Sequence, residues 1–221
     1  MQHSNEWEWH VSVRDRRFVS IVCVSAAVDG PAMDEHVYDA LSSGDLTIDQ
    51  LKEFVLHFAV YCGWPRASQL EMTVRAQWQR MHDERGEPAP AFPELDIDDL
   101  GTADPAQRVA EGMKSFEDIN LIGPPSSDSP YFYAGILNYV FGHLWLRPGL
   151  SRRDRRLVTI PCVGVSDAAG PIWSHVTSAL GSGDVAYDEI RELIAHFRTF
   201  AGDQRAQALL DVAEQWQATQ Q

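Results

Sequence analysis

The sequence is short of cysteine, of basic residues and of long apolar runs. Its three cysteines, Cys23, Cys62 and Cys162, show no C-x-x-C spacing. That excludes a disulfide framework and a zinc knuckle and leaves free thiols, expected to be core residues. Lys and Arg number 18 against 32 Asp and Glu, a formal net charge of −14. An acidic chain repels phosphate backbones, so no nucleic-acid partner is expected. No stretch approaches about 18 uninterrupted apolar residues, and the opening MQHSNEWEWH has neither the basic nor the apolar segment of a signal peptide. The expectation is a cytoplasmic protein without a membrane partner. Its hydrophobic content of 44% suffices for a packed core, and its length admits one large domain or two small ones.

The chain repeats itself. RDRRFVSIVCV at 14–24 returns as RDRRLVTIPCV at 153–163, and HVYDALSSGDLTIDQLKEFVLHF at 36–58 returns as HVTSALGSGDVAYDEIRELIAHF at 175–197. Both blocks recur at one offset, 139 residues, from Arg14 to Arg153 and from His36 to His175. The Gly-Pro loops between them, DGPAMDEH and AGPIWSH, differ by one residue. Two copies of one supersecondary unit explain this most simply.

Each copy reads as helical. RDRRFVSIVCVSAAV spreads apolar residues along about four turns, too long for a strand, and stops at the breaker DGP. A second helix is expected from about Ala32 to Ser43. TIDQ (47–50) is a Thr-x-x-Gln capping box. The helix it starts carries Leu51, Phe54, Val55, Phe58 and Cys62 at core spacing and ends at Gly63. A fourth runs from about Pro65 to Met81, with Pro65 in a first turn that needs no N–H there. Residues 83–118 hold eleven Asp or Glu against three Lys or Arg, which marks a solvated, partly irregular linker ending in a short helix at 105–119. SPYFYAGILNYVFGHLW (129–145) is expected to be one apolar helix, absent from the first copy. The expected organisation is all-α: repeat 1 at 1–82, linker at 83–127, repeat 2 at 128–221, with the two repeats related by approximate two-fold symmetry.

These residues resemble the carboxymuconolactone decarboxylase family, which is related to alkyl hydroperoxidase D-type proteins. The resemblance is carried by EFVLHFAVYCGWPRAS (53–68), by GHLWLRPGLSRRDRRLVTI (142–160), and by the order of the repeated blocks. It implies an all-helical fold, pockets where repeats or subunits meet, no cofactor, and self-association. Three tandem chains filling a ring of six repeats are the first expectation, a dimer the second. The family's peroxidase branch carries a C-x-x-C seven and four residues before a shared His. Here those positions are Asp29 and Ala32 before His36, and Ala168 and Pro171 before His175, so a dithiol peroxidase is not expected. The other branch transforms a small lactone acid. Its Glu, nineteen residues before the His, is replaced by Arg17 and Arg156, which suits a carboxylate clamp better than a proton relay.

The resemblance makes His36 and His175 candidate acid–base catalysts; a helix-capping role is the plainer alternative. His57 and Tyr61 share a helix face at i, i+4 and, with Trp64, form either a pocket wall or an ordinary buried aromatic helix end. Their counterparts are His196, Phe200 and Asp203, so the first copy is the richer one; His36 is the expected proton carrier, with His175 and Tyr61 as further catalytic candidates and His57, Trp64 and His196 as substrate-binding ones. Arg17, Arg66 and Arg156 are candidate carboxylate holders, though RDRR more simply forms a solvated, ion-paired helix face. Four histidines, His36, His57, His175 and His196, permit a metal site by count, but no ligand spacing supports one and none is expected. Two function classes follow: a cofactor-independent lyase, decarboxylase or isomerase acting on a small cyclic organic acid, or a non-catalytic oligomeric ligand-binding protein on the same scaffold.

Overall fold

The computed structural model describes residues 10–220; residues 1–9, at the start of the expected first repeat, and Gln221 lie outside the described residues. Among the described residues all regular structure is helical. The first half holds α1 (Val13–Ala27), α2 (Gly30–Ser42), α3 (Ile48–Cys62) and α4 (Trp64–Arg85). A connecting stretch holds a short 3-10 turn at Ile97–Leu100 and α5 (Pro105–Asn120). The second half holds α6 (Arg152–Val165), α7 (Ala169–Gly181), α8 (Tyr187–Ala201) and α9 (Asp203–Ala218). All four of these, α6, α7, α8 and α9, begin 139 residues after α1, α2, α3 and α4.

The helix starts are written into the sequence. Ser12 and Asp15 form a capping box at α1, and Ser151 and Asp154 form the same box at α6. In each, the serine hydroxyl accepts from the aspartate N–H at 3.1 Å. Thr47 and Gln50 cap α3 as the TIDQ motif predicts. α3 ends at Gly63, whose φ of 94° suits glycine, and α4 follows at once with Pro65 in its first turn.

The halves interlock. α1 packs along α6, α3 packs on α6, and α1 packs on α8. At the crossing of α1 and α6 the ion pairs are reciprocal. Arg14 donates to Asp154 at 2.7 Å, and Arg153 donates to Asp15 at 3.1 Å. Each aspartate therefore caps its own helix and holds an arginine of the other half. The RDRR segments are ion-paired as alternating charge predicts, but the second is not a solvated face. Arg155 and Arg156 are only 1% and 0% exposed, because α6 runs through the centre of the molecule. Arg17 is paired with Asp39 and Asp45.

Residues 129–145 do not form the single α-helix expected. They make a wide π-type helix at Tyr131–Phe141, then a 3-10 turn at Leu144–Leu146. α5 crosses this segment backbone to backbone. A Cβ on Gly112 would collide with the Leu137 carbonyl, and one on Gly142 with the carbonyls of Arg108, Asn138 and Leu137. Only glycine allows such an approach. The connecting stretch is also pinned at its other end. The Phe92 ring lies under Lys52 and Arg75, and Arg147 donates to both carboxylate oxygens of Glu53 and to the carbonyl of Asp99.

Candidate active site

α3, α5, the π-type helix and α7 enclose a cleft of about 450 Å³. Its walls are mostly aromatic and aliphatic: Phe116 from α5, Phe132, Ile136 and Phe141 from the π-type helix, and Val60 from α3. Its polar groups are few: Tyr61, Asn120, Ser174 and His175 among them, and no carboxylate. An apolar recess with a small convergent polar set is the usual form of a small-molecule site.

His175 and Tyr61 meet here. Their ring centroids lie 5.5 Å apart at 82°. His175 is 7% exposed, and its Nδ1 has no hydrogen-bond partner among the described residues. Burial, helped by the nearby Arg156 guanidinium, lowers its pKa to about 3, so the imidazole is neutral at pH 7. Burial pushes the Tyr61 phenol up to about 12, with hydrogen bonds to Trp145 and Thr159 opposing it. Both groups enter any reaction uncharged.

A directed chain of hydrogen bonds leads to Tyr61. An Arg155 N–H lies 3.2 Å from His57 Nδ1. Guanidinium cannot accept, so His57 Nδ1 is the acceptor and the His57 proton sits on Nε2. Nε2 then donates to Thr159 Oγ1 at 2.8 Å. Thr159 also helps hold down the Tyr61 pKa, and the indole N–H of Trp145 donates to the Tyr61 oxygen at 2.9 Å. With the indole N–H of Trp145 on its oxygen, the Tyr61 O–H remains available as a donor. Burial and the positive charge of Arg155 hold His57 well below the ordinary histidine range, so it does not itself titrate near neutrality.

The other histidines form an exchanged counterpart. His36 faces Phe200 of α8 at 5.6 Å, not Tyr61. His196 lies 2.8 Å from Ser20 Oγ, and the Ser20 hydroxyl donates to the Arg16 carbonyl, so His196 Nε2 is the donor there. Ser20 and Thr159 occupy equivalent positions, as do His196 and His57. This second chain ends at a phenyl ring where the first ends at a phenol. His36 is half-buried, its pKa lowered by burial and by Arg17 against the pull of Asp39.

The expected grouping is thereby corrected. Tyr61 and His57 of the first half serve His175 of the second, because α3 packs on α6. Trp64 is 59% exposed and lies on a separate shallow groove with Lys52 and Met72. Arg66 opens on another cavity. Arg156 is sealed: it donates to Ser178 and to the Ile119 carbonyl, pairs with Asp184 at 3.2 Å, and lies 5.2 Å from the Trp145 ring. Arg17 is occupied by Asp39 and Asp45. Neither clamps a ligand in the cleft. Trp145, Asn120 and the aromatic side chains of 131–141 were not legible as site residues. Their one signal is the density of aromatics in that segment. Among the described residues no His, Cys, Asp or Glu cluster is arranged to hold a metal, and no helix is long and apolar enough to cross a membrane.

Comparison with known proteins bears on residues 130–215, which match the model of the carboxymuconolactone decarboxylase family. The chain is similar to 4-carboxymuconolactone decarboxylase of Acinetobacter baylyi (strain ATCC 33305 / BD413 / ADP1), with 34% identity over 80 residues. That alignment covers 36% of this chain and 59% of the relative. The matched family segment contains the π-type helix, Trp145, Thr159 and His175; Tyr61 and His57 lie outside it.

Proposed function

We propose that this chain, which belongs to the carboxymuconolactone decarboxylase family through residues 130–215, is a cofactor-independent enzyme that decarboxylates or isomerises a small cyclic organic acid or lactone. The observation that carries the reading is the pairing of a neutral His175 with a neutral Tyr61 on the wall of an apolar cleft. Loss of carbon dioxide leaves an electron pair that must be delocalised, as into a lactone or enone carbonyl, and then needs a proton at carbon. Tyr61 donates its O–H to the oxygen that gains charge, and the neutral His175 gives its ring N–H proton to carbon while its other ring nitrogen takes one from solvent, so it is uncharged before and after. The mostly apolar walls lower the local dielectric, which strengthens both interactions. His36, facing a phenyl ring, contributes less.

A second reading has one specific observation behind it. The position where the family resemblance calls for a glutamate holds the buried Arg156, and no carboxylate lines the cleft. That favours a ligand-binding protein without turnover. The two are separated by presenting 4-carboxymuconolactone and a panel of related lactone and oxo acids and following carbon dioxide release. Turnover abolished by His175→Ala supports the enzyme. Saturable binding of the panel in the cleft, with no product from any member, supports the binding protein.

The proposal includes two tandem copies, within 1–82 and 128–221, related by an approximate two-fold axis, and three chains in a ring. It is supported by the reciprocal ion pairs Arg14–Asp154 and Arg153–Asp15 and, for the ring, by the exposed Trp64 and Met72 on one groove. A light-scattering mass of one chain at micromolar concentration would refute the ring, and a mass of two would refute its stoichiometry.

A further inference from the structure

A cavity of about 460 Å³ opens where the two halves meet, and it is distinct from the cleft. It takes residues from both halves in equivalent pairs: Ala26 with Val165, Ala27 with Ser166, and Arg66 with Arg205, each pair 139 positions apart. The two arginines stand in the first turns of α4 and α9, so the junction brings two arginines to one cavity. No Asp or Glu lines it, in a chain whose net charge is −14.

Neither arginine is consumed by the fold. Arg66 spends one N–H on the carbonyl of Cys62 at 3.3 Å. Arg205 has no hydrogen-bond or ion-pair partner among the described residues, unlike Arg17, Arg153 and Arg156, which are all ion-paired. The rest of the lining is apolar or weakly polar and includes Cys23 and Phe200. Two positive groups without a carboxylate, over an apolar floor, recognise an organic anion with a charge at each end.

We propose that this junction cavity binds a small dicarboxylate with a hydrocarbon or aromatic body, one carboxylate held by Arg66 and the other by Arg205. The site does not depend on the catalytic reading of the cleft, although Ser166 borders both.

Calorimetric titration of the whole chain with phthalate, benzoate and inorganic phosphate, at fixed ionic strength, tests it. Phthalate is expected to bind, and benzoate, which engages one arginine, to bind at least tenfold more weakly. Arg66→Ala and Arg205→Ala are each expected to weaken phthalate at least tenfold, and His175→Ala to leave it unchanged. Both arginines are exposed, so these variants keep the fold; their circular dichroism should match the parent. No binding of phthalate up to about 10 mM overturns the proposal, as does equal binding of phthalate by the parent and the Arg66→Ala/Arg205→Ala double variant. Phosphate binding more tightly than phthalate overturns the organic part of the assignment. Loss of phthalate binding in His175→Ala alone would place the ligand in the cleft and overturn it as well.

Discussion

The Tyr61 ring stands edge-on to the His175 imidazole at 5.5 Å, although the two residues belong to different halves of the chain. The first half supplies the phenol and the second the imidazole. Neither half assembles this pair alone.

That exchange orders the histidines. Once a substrate is turned over, His175→Ala should lower kcat by roughly two to four orders of magnitude, the usual worth of one placed acid or base. Tyr61→Phe should lower it by roughly ten- to a thousandfold and reproduce the arrangement already present around Phe200. His36→Ala should cost less than either. Steady-state kinetics on one substrate check all three; a dead His36→Ala beside an active His175→Ala would invert the assignment.

Acid should weaken the fold through buried histidine. Above pH 6.5 His175 is neutral whether the chain is folded or not. Below that, the unfolded chain takes up a proton that folded His175 refuses until its pKa of about 3. Stability is therefore lost as pH falls through this window, by at most roughly 5 kcal/mol. His57 acts in the same direction. The ion-paired carboxylates Asp154 and Asp184, whose pKa values are lowered, add their loss only below about pH 4. Urea unfolding at pH 6.5 and pH 5 should show a drop of roughly 2 kcal/mol or more, and His175→Asn should flatten it by about one proton.

The thiols should be dispensable for turnover. Cys23, Cys62 and Cys162 are all buried. Burial pushes Cys23 up to about 12 and Cys162 well above its ordinary value. Cys62 is drawn down by its hydrogen bond with Cys162 and by Arg66, against its own burial, so it should label first with a thiol reagent, and slowly. A variant with all three changed to Ala should turn over normally, with only the stability loss of small cavities. A folded but inactive cysteine-free chain would refute this.

Gly112→Ala should destabilise the protein by about 1–3 kcal/mol, because the added methyl collides with backbone that cannot swing away. The crossing it forces apart carries one wall of the cleft. Thermal unfolding measures the first effect. A raised KM, larger than the change in kcat, would report the second.

The helices were legible because their signals are local. Thr47 announces a start, Gly63 a stop, and the fixed offset of 139 links the two halves. The all-α class follows from these alone. What connects the halves is not local. That α3 would lie on α6, and so give Tyr61 to His175 rather than to His36, is a tertiary choice with no mark at either position. Arg156 reads as a surface charge until Asp184, Ser178 and the Ile119 carbonyl are seen around it. The π-type winding of 131–141 escaped for a related reason: it is bound up with the close crossing at Gly112, some twenty residues away in sequence.

The reciprocal bridges Arg14–Asp154 and Arg153–Asp15 also bear on how such a chain can change over generations. If the two halves are copies of one unit, neither is a spare that can drift freely. A mutation that degrades the first half's α3 damages the histidine of the second, so selection on one site protects sequence in both. Beside His36 no such tie holds, since the position 139 residues after Tyr61 is Phe200.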